Sequence, residues 1–328
     1  MRLLCVSGMY PSPEHPGFGA FIQRQVEALR ELGHVVEVVA NTDRRSGSIN
    51  ALRKYRSLRK RALKAARTGS FDLVVGHFLY PGAWIAQSTR LPYVVVAHGT
   101  DVTSLGRSDP LARWSREATE HADGVVAVSH YLMDRLALAP DTKRAVINMG
   151  YDDTIFYPRR RPAHGKKTIV VVGNLVPVKG QDRAIEACAP LLESGELDQL
   201  VLIGEGSELT APEQVIFTGQ LPQDEVAAWM NRADLVLVPS RAEGLGLVVL
   251  EALACKTPVA AARVGGIPEI LPAEPAGFAL DPDDTASWTA VIARALEVGS
   301  VSTGEDVGRF SVRSQAQDFA EFCAGVLS

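Results

Sequence analysis

Cysteine is scarce and scattered. The 328-residue chain holds four, Cys5, Cys188, Cys255 and Cys323, and no two are close enough to form a CxxC pair. That leaves the disulfide framework and the zinc knuckle without support, and a reducing, cytoplasmic setting is the expectation. Long apolar runs are missing too: no stretch approaches the ~18 residues that cross a bilayer. The run from Met1 to Val6 is too short for the apolar region of a signal peptide and reads as a first strand. Net charge is small, −4, which removes nucleic acid as a partner for the molecule as a whole. Acidic metal-ligand spacing is nearly absent. The Asp-x-Asp pattern at Asp281 and Asp283 lies beside Asp284 in a turn-rich stretch and reads as a surface turn. No metal and no cofactor are expected.

What is present is ordinary globular material, 46% hydrophobic and 22% charged, in a length that suits two α/β domains. Short apolar runs alternate with amphipathic stretches, the pattern of βαβ units and parallel sheets. Residues 2–7, 35–40, 73–75, 93–97 and 124–128 read as strands. The first helix carries Phe21, Ile22, Val26, Leu29 and Leu32 on one face and is closed by Gly33. A second helix runs from Asp109 to His121 with Pro110 in its first turn. From Asn148 to Lys167 the rhythm breaks into Pro158, Arg159, Arg160, Arg161, Pro162 and Gly165, a linker composition. A second series of strands follows at 168–173, 200–203, 215–218, 235–238 and 259–261. Val312, Ala316, Phe319, Ala320 and Cys323 then share one face of a last helix. The expected architecture is α/β: a Rossmann-like domain over 1–155, a second over 156–310, and a helix over 311–328 returning toward the first. Ligands of such sheets bind outside the carboxyl ends of the strands, here expected in a central cleft.

The strongest chemical signal follows the strand that ends in Pro239 and Ser240. Glu243 and Glu251 stand eight residues apart, just over two helical turns, around Gly244, Leu245, Gly246 and Leu247. The glycines permit close backbone approach, and a helix starting here offers unpaired N–H groups that suit a diphosphate. One carboxylate before the helix can meet sugar hydroxyls and one inside it a ribose. Two ordinary glutamates on a solvated helix would share this spacing. Other segments accompany the pair: Val172-Gly173-Asn174-Leu175-Val176-Pro177-Val178-Lys179-Gly180, then Leu202-Ile203-Gly204-Glu205-Gly206, Val264-Gly265-Gly266-Ile267-Pro268-Glu269 and Asn148-Met149-Gly150-Tyr151-Asp152.

In that order these blocks resemble glycosyltransferase family 4, the retaining enzymes of GT-B fold, and the resemblance covers essentially the whole chain. It implies transfer of a sugar from a nucleotide diphosphate donor with retention at the anomeric carbon and without metal. It implies that Glu243 binds hydroxyls of the donor sugar, that Glu251 binds the ribose and that Lys179 neutralises the diphosphate as a mobile point charge. Gly17 and Gly19, in the loop after the first strand, correspond to the family's glycine-rich loop near the donor phosphates. Ala97-His98-Gly99-Thr100-Asp101 resembles its histidine loop, which would bring His98 to the donor sugar. A strand-end histidine bonded to backbone would look the same in isolation. Base recognition is expected from Gly204 to Ser207, including Glu205, and from Gly219 to Leu221. Asn174 departs from the pattern, since many members carry an arginine there. Only a polar donor remains, and the phosphates must rely more on Lys179, helix N-termini or another cation such as Arg241. The loop form loosely resembles a subgroup tied to teichuronic acid and other cell-surface polysaccharides.

Charge is distributed unevenly. Residues 44–67 hold ten Lys/Arg and no Asp/Glu, so the remainder of the chain carries −14. Ile49, Leu52, Tyr55, Leu58, Ala62, Leu63 and Ala66 give this segment an apolar stripe. Two readings stand: a helix lying on an anionic membrane, or a domain helix with its stripe on the sheet and its basic face in water. The functional expectation is a hexosyltransferase using a UDP-sugar, with GDP-mannose second, and a glycan or lipid-linked acceptor. A nucleotide-sugar epimerase of the same architecture and a two-lobed sugar-binding protein are the alternatives.

Overall fold

Parallel sheets buried on both faces are built from near-continuous apolar runs rather than alternating ones, and the inner strands of this chain follow that rule. A computed structural model describes residues 1–43, 48–99, 101–102, 110–160, 165–207, 209–298 and 307–328, with the side chains of 48–52 and 110–112 left aside. Arg44, Arg45, Thr100, Asp109, Arg161 and Pro162, singled out above, lie outside the described residues, as do the side chains of Ile49, Leu52 and Pro110.

The first series comprises β1 (Arg2–Ser7), α1 (Ala20–Glu31), β2 (Val35–Ala40), α2 (Ser48–Thr68), β3 (Leu73–His77), α3 (Trp84–Ser88), β4 (Tyr93–Ala97), α4 (Pro110–Glu120), β5 (Gly124–Ala127), α5 (His130–Met133) and β6 (Lys143–Val146). Its strands form one parallel sheet in the order β2-β1-β3-β4-β5-β6. The second comprises β7 (Thr168–Val172), α6 (Gln181–Ser194), β8 (Gln199–Ile203), β9 (Val215–Gly219), α7 (Gln223–Arg232), β10 (Leu235–Val238), α8 (Leu247–Ala254), β11 (Val259–Ala262), α9 (Ile267–Ile270), β12 (Gly277–Leu280) and α10 (Trp288–Val298). Its parallel sheet runs β12-β11-β10-β7-β8-β9. The last helix is α11 (Val312–Leu327).

Two strands lay outside the sequence reading, β6 and β12, and each is an edge strand. β6 opens on Lys143 and Arg144, both exposed, so no apolar run marks it. β12 is only Gly277-Phe278-Ala279-Leu280. In α1 the buried positions Ile22, Gln25, Val26 and Leu29 keep the i, i+3, i+4, i+7 spacing of one helical face.

The described residues divide into two units, Met1–Gly150 with Val312–Ser328, and Tyr151–Ser311. The division falls a little ahead of residue 155, and α11 belongs to the first unit, where it packs on α1. Tyr151 and Ser311 form a parallel bridge, reinforced by the Tyr151 N–H donating to the Phe310 carbonyl at 3.0 Å. On the other side of that boundary the Asn148 N–H donates to Gln315 Oε1 at 2.8 Å.

Candidate functional site

In the second unit the strand order reverses between β7 and β10, the topological switch point at which open α/β sheets bind ligands. The loops leaving the carboxyl ends of those two strands carry Lys179 and Glu243. Lys179 Nζ lies 2.6 Å from Glu243 Oε1, and Ser240 Oγ donates to the same oxygen at 2.7 Å. The ammonium and carboxylate are only partly buried, at 32% and 13% side-chain exposure.

Two glycines make this approach of loops feasible. Gly180 has φ +71°, and a Cβ there would collide with the Pro239 carbonyl at the end of β10. Gly265 has φ +59°, and a Cβ there would collide with the backbone carbonyl of Glu243 itself. Only glycine takes such positions without strain and clash together. The loop also binds itself down: the Arg241 N–H donates to the Val178 carbonyl at 2.8 Å, and Gln181 Nε2 donates to the Gly173 and Asn174 carbonyls at 3.2 and 2.9 Å.

Gly244, Leu245 and Gly246 lead into α8, whose first residue is Leu247. Gly246 holds the N-cap position with left-handed backbone, no side chain caps the helix and no acid stands in its first turn. The start of α8 therefore keeps its partial positive charge available to an anion. Glu251, 6% exposed, lies within that helix.

The same unit carries an open hollow of about 480 Å³, lined by Gly204, Glu205, Gly206, Ser207 and Gly219 together with Leu175, Leu209 and Phe217. The first five fall in the two segments, 204–207 and 219–221, from which base recognition is expected. Leu175 and Phe217 are apolar walls the motif reading missed. Phe217 stands in the middle of β9 and is 42% accessible. Leu221 is half-buried just beyond Gly219 and is not among the lining residues, and Asn174 is exposed.

Arg241 does not stand free as a substitute phosphate ligand. Its guanidinium forks onto both Asp182 oxygens at 2.8 and 2.6 Å, and this hydrogen bonding holds the Asp182 carboxyl below its usual range. Asp281 and Asp283 form a turn in which the Asp283 N–H donates to Asp281 Oδ1 at 2.9 Å. Among the described residues no group of three or more His, Cys, Asp or Glu could hold a metal ion. All four cysteines are buried, and burial pushes their thiols up to about 12, away from thiolate chemistry.

In the first unit the reversal of strand order falls between β1 and β3. Gly17, exposed, and Gly19, buried, lie in the loop after β1, and Gly19 is the left-handed N-cap of α1. His98 follows β4 and half-faces solvent. Its Nε2 is 3.1 Å from Nδ1 of His77, a buried residue at the end of β3 that the motifs did not reveal. Phe78 and Phe21 pack on the His98 ring with centroids 4.5 and 5.2 Å away. Phe78 has φ +67°, an uncommon conformation for a bulky residue, and it places the ring there. Asp101 draws the two loops together: its carboxylate accepts the N–H groups of Leu79 at 2.9 Å, Gly99 at 2.7 Å and His98 at 3.2 Å.

Burial pushes the His77 imidazole down to about 3, and burial together with His77 holds His98 well below its ordinary value. Both rings are neutral near pH 7. Only one proton can lie between the facing nitrogens, so each ring sets the tautomer of the other. Burial raises the Asp101 carboxyl, and the three N–H donors pull it back.

The helix expected over the basic segment is present as α2. Its stripe residues Leu58 and Ala62 are fully buried, and α2 packs on β1, β2 and α3. Those side chains are therefore committed to the domain and cannot enter a bilayer; the face left to water is the cationic one. No helix among the described residues is long and apolar enough to cross a membrane.

The sequence matches two family models, "Glycosyltransferase Family 4" over residues 17–155 and "Glycosyl transferases group 1" over 154–303. It is 27% identical over 323 residues to the Bacillus subtilis glycosyltransferase TuaC, assigned by name to teichuronic acid biosynthesis, covering 81% of this chain and 82% of that one. It is 29% identical over 269 residues to N-acetyl-alpha-D-glucosaminyl L-malate synthase of Bacillus anthracis, covering 74% and 69%. Among solved structures, Anabaena Alr3699/HepE in complex with UDP and glucose superposes with a TM-score of 0.75 at 20% identity, over 99% of this chain and 100% of that one. With two Rossmann-like units of GT-B type, the chain belongs to glycosyltransferase family 4.

Proposed function

We propose that this glycosyltransferase moves a hexose from a nucleoside diphosphate donor, UDP before GDP, to a glycan or lipid-linked acceptor, with retention at the anomeric carbon and no divalent metal. The observation that carries the reading is the Lys179–Glu243 pair across the β7/β10 switch point, with the start of α8 and the Leu175–Phe217 hollow on the same unit. The uridine takes the hollow, its ribose meets Glu251, and its diphosphate meets Lys179 and the first turn of α8. Glu243, released from Lys179, takes donor-sugar hydroxyls. His98, neutral and oriented by His77, is assigned to the donor sugar beside the reacting carbon.

As the bond between anomeric carbon and phosphate oxygen breaks, an oxocarbenium-like centre develops and negative charge grows on the diphosphate. Lys179 and the helix dipole are worth most at that moment. The acceptor hydroxyl adds on the leaving-group face, and its proton passes to the departing phosphate. UDP in complex with HepE supports the base preference. Metal independence rests on Lys179 and helix N–H groups supplying the countercharge that an acidic metal site would otherwise supply.

Thermal unfolding with UDP, GDP and ADP, followed by a nucleotide-sugar panel, tests the reading. Ligand at a hundredfold its Kd adds about 2.7 kcal/mol, roughly 5–10 °C for a unit of this size. A chain that none of the three nucleotides stabilises at millimolar concentration would sink it.

A further inference from the structure

A second hollow, of about 400 Å³, opens in the first unit between α2, α3, α4 and the loop after β3. Its walls are of two chemical kinds. Trp84 and Trp114 lie nearly parallel, 17° apart with centroids at 5.8 Å, and Tyr55 meets Tyr80 edge-on at 5.0 Å. Arg56, Arg59 and Lys60 come from neighbouring turns of α2, and among the described residues no acid lines the hollow. These groups are preorganised. Arg59 Nε donates to Ser88 Oγ at 3.0 Å, Ser88 Oγ donates to the Trp84 carbonyl at 2.8 Å, and the guanidinium lies 5.3 Å from the Trp84 ring centre. Arg56 and Lys60 remain exposed, and Trp114 is 44% accessible, far more than a core tryptophan needs. Tyr80 sits three residues past His77, on the loop whose Phe78 packs on the His98 ring.

Flat aromatic faces take the C–H faces of pyranose rings, and a guanidinium and an ammonium on the same wall select negative charge. The uncharged sugar of an ordinary glycan uses only half of this surface. A bilayer uses the cations but has no use for parallel tryptophans in a walled hollow, with the apolar stripe of α2 buried. We propose that this hollow binds an anionic saccharide, one bearing a carboxylate or a phosphate, as the acceptor or the acceptor's leading residue. The proposal rests on the transferase reading and adds the charge class of its acceptor.

Titration of intrinsic tryptophan fluorescence, checked by calorimetry, tests it on the full chain. The probes are tetragalacturonate, glucose 6-phosphate, neutral maltotetraose, and vesicles of phosphatidylglycerol with phosphatidylcholine. At least one anionic sugar binds at least tenfold tighter than maltotetraose, and the difference shrinks as salt rises. Trp114→Ala and, separately, Arg56→Gln with Lys60→Gln each weaken that binding tenfold or more. UDP affinity stays unchanged in both variants, because Lys179, Glu251 and the Leu175–Phe217 hollow, assigned above to UDP, lie on the other unit. Both variants replace exposed side chains, and circular dichroism verifies the fold. Equal binding of maltotetraose, vesicle binding without saccharide binding, or no saccharide binding at millimolar concentration overturns the proposal. If UDP still binds in those cases, the transferase reading stands and only the acceptor class is wrong; if UDP fails as well, the fault lies with the transferase reading.

Discussion

The Lys179–Glu243 pair should act as an internal competitor of the donor phosphates, and a double-mutant cycle reads that out. Lys179→Met keeps the aliphatic stem and removes the charge. Glu243→Gln keeps the shape and the bond from Ser240 Oγ. The pair is 2.6 Å long and lies between the surface and buried regimes. A hydrogen bond to a charged partner in such a place contributes about 1.5–3 kcal/mol, so either single change should lower the melting temperature of the second unit by roughly 3–12 °C. The double variant should be less destabilised than the sum, with a coupling of about 1–2 kcal/mol, because the second change removes a partner already orphaned. Ligand binding should separate the singles. Lys179→Met loses the diphosphate cation and weakens UDP about tenfold or more, each tenfold being about 1.4 kcal/mol. Glu243→Gln frees the ammonium, so UDP binds no weaker than to wild type, up to about tenfold tighter, while turnover collapses. Scanning calorimetry supplies the stabilities and titration calorimetry the affinities. Additive stabilities, or a Glu243→Gln variant that loses UDP as severely as Lys179→Met, would refute the competition.

Glu251→Ala should weaken UDP by about 1.5–3 kcal/mol with the fold retained, and unchanged calorimetric affinity would remove Glu251 from the ribose. His77 titrates near 3 in the folded chain against about 6.5 unfolded, so below pH ~6.5 the unfolded state binds the extra proton and stability falls with pH. Wild type should therefore lose about 1.4 kcal/mol per pH unit more than His77→Gln between pH ~6.5 and ~4; Asp101, raised by burial, tilts the opposite way in both proteins and cancels in the difference. Parallel pH profiles would mean that His77 is not held neutral. Transfer should survive EDTA, and loss of activity restored by magnesium or manganese would contradict the metal-independent proposal.

Much of the fold was legible because buried parallel strands are written as apolar runs: Leu73 to Val75, Tyr93 to Ala97 and Leu235 to Val238 carry no other plausible reading. Edge strands escape that criterion, as Lys143-Arg144-Ala145-Val146 shows, since their pairing depends on a neighbour and not on their own hydrophobicity. At the candidate site, Lys179, Glu243, Gly204 and Glu251 were singled out by the resemblance of whole blocks in chain order, since spacing alone left each with an ordinary surface reading. Partnerships across sequence stayed hidden. Nothing local announces that Asp182 will occupy Arg241, fifty-nine residues later, or that His77 will face His98. The orientation of α2 was equally undecided, because an apolar stripe is the same stripe whether it meets a sheet or a lipid. Packing against β1, β2 and α3 settles it.

The bridge between Tyr151 and Ser311 makes the second unit an insertion whose two ends are neighbours. Residues 151–311 are one uninterrupted stretch of sequence, whereas the first unit is discontinuous. Because Tyr151 and Ser311 pair as an isolated bridge, about 5 Å apart, a very short linker from Gly150 to Val312 can span the gap. Trimming the chain from its C-terminus therefore damages the unit at its opposite end: removing 312–328 strips α11 from α1 and leaves the loops of Lys179 and Glu243 whole.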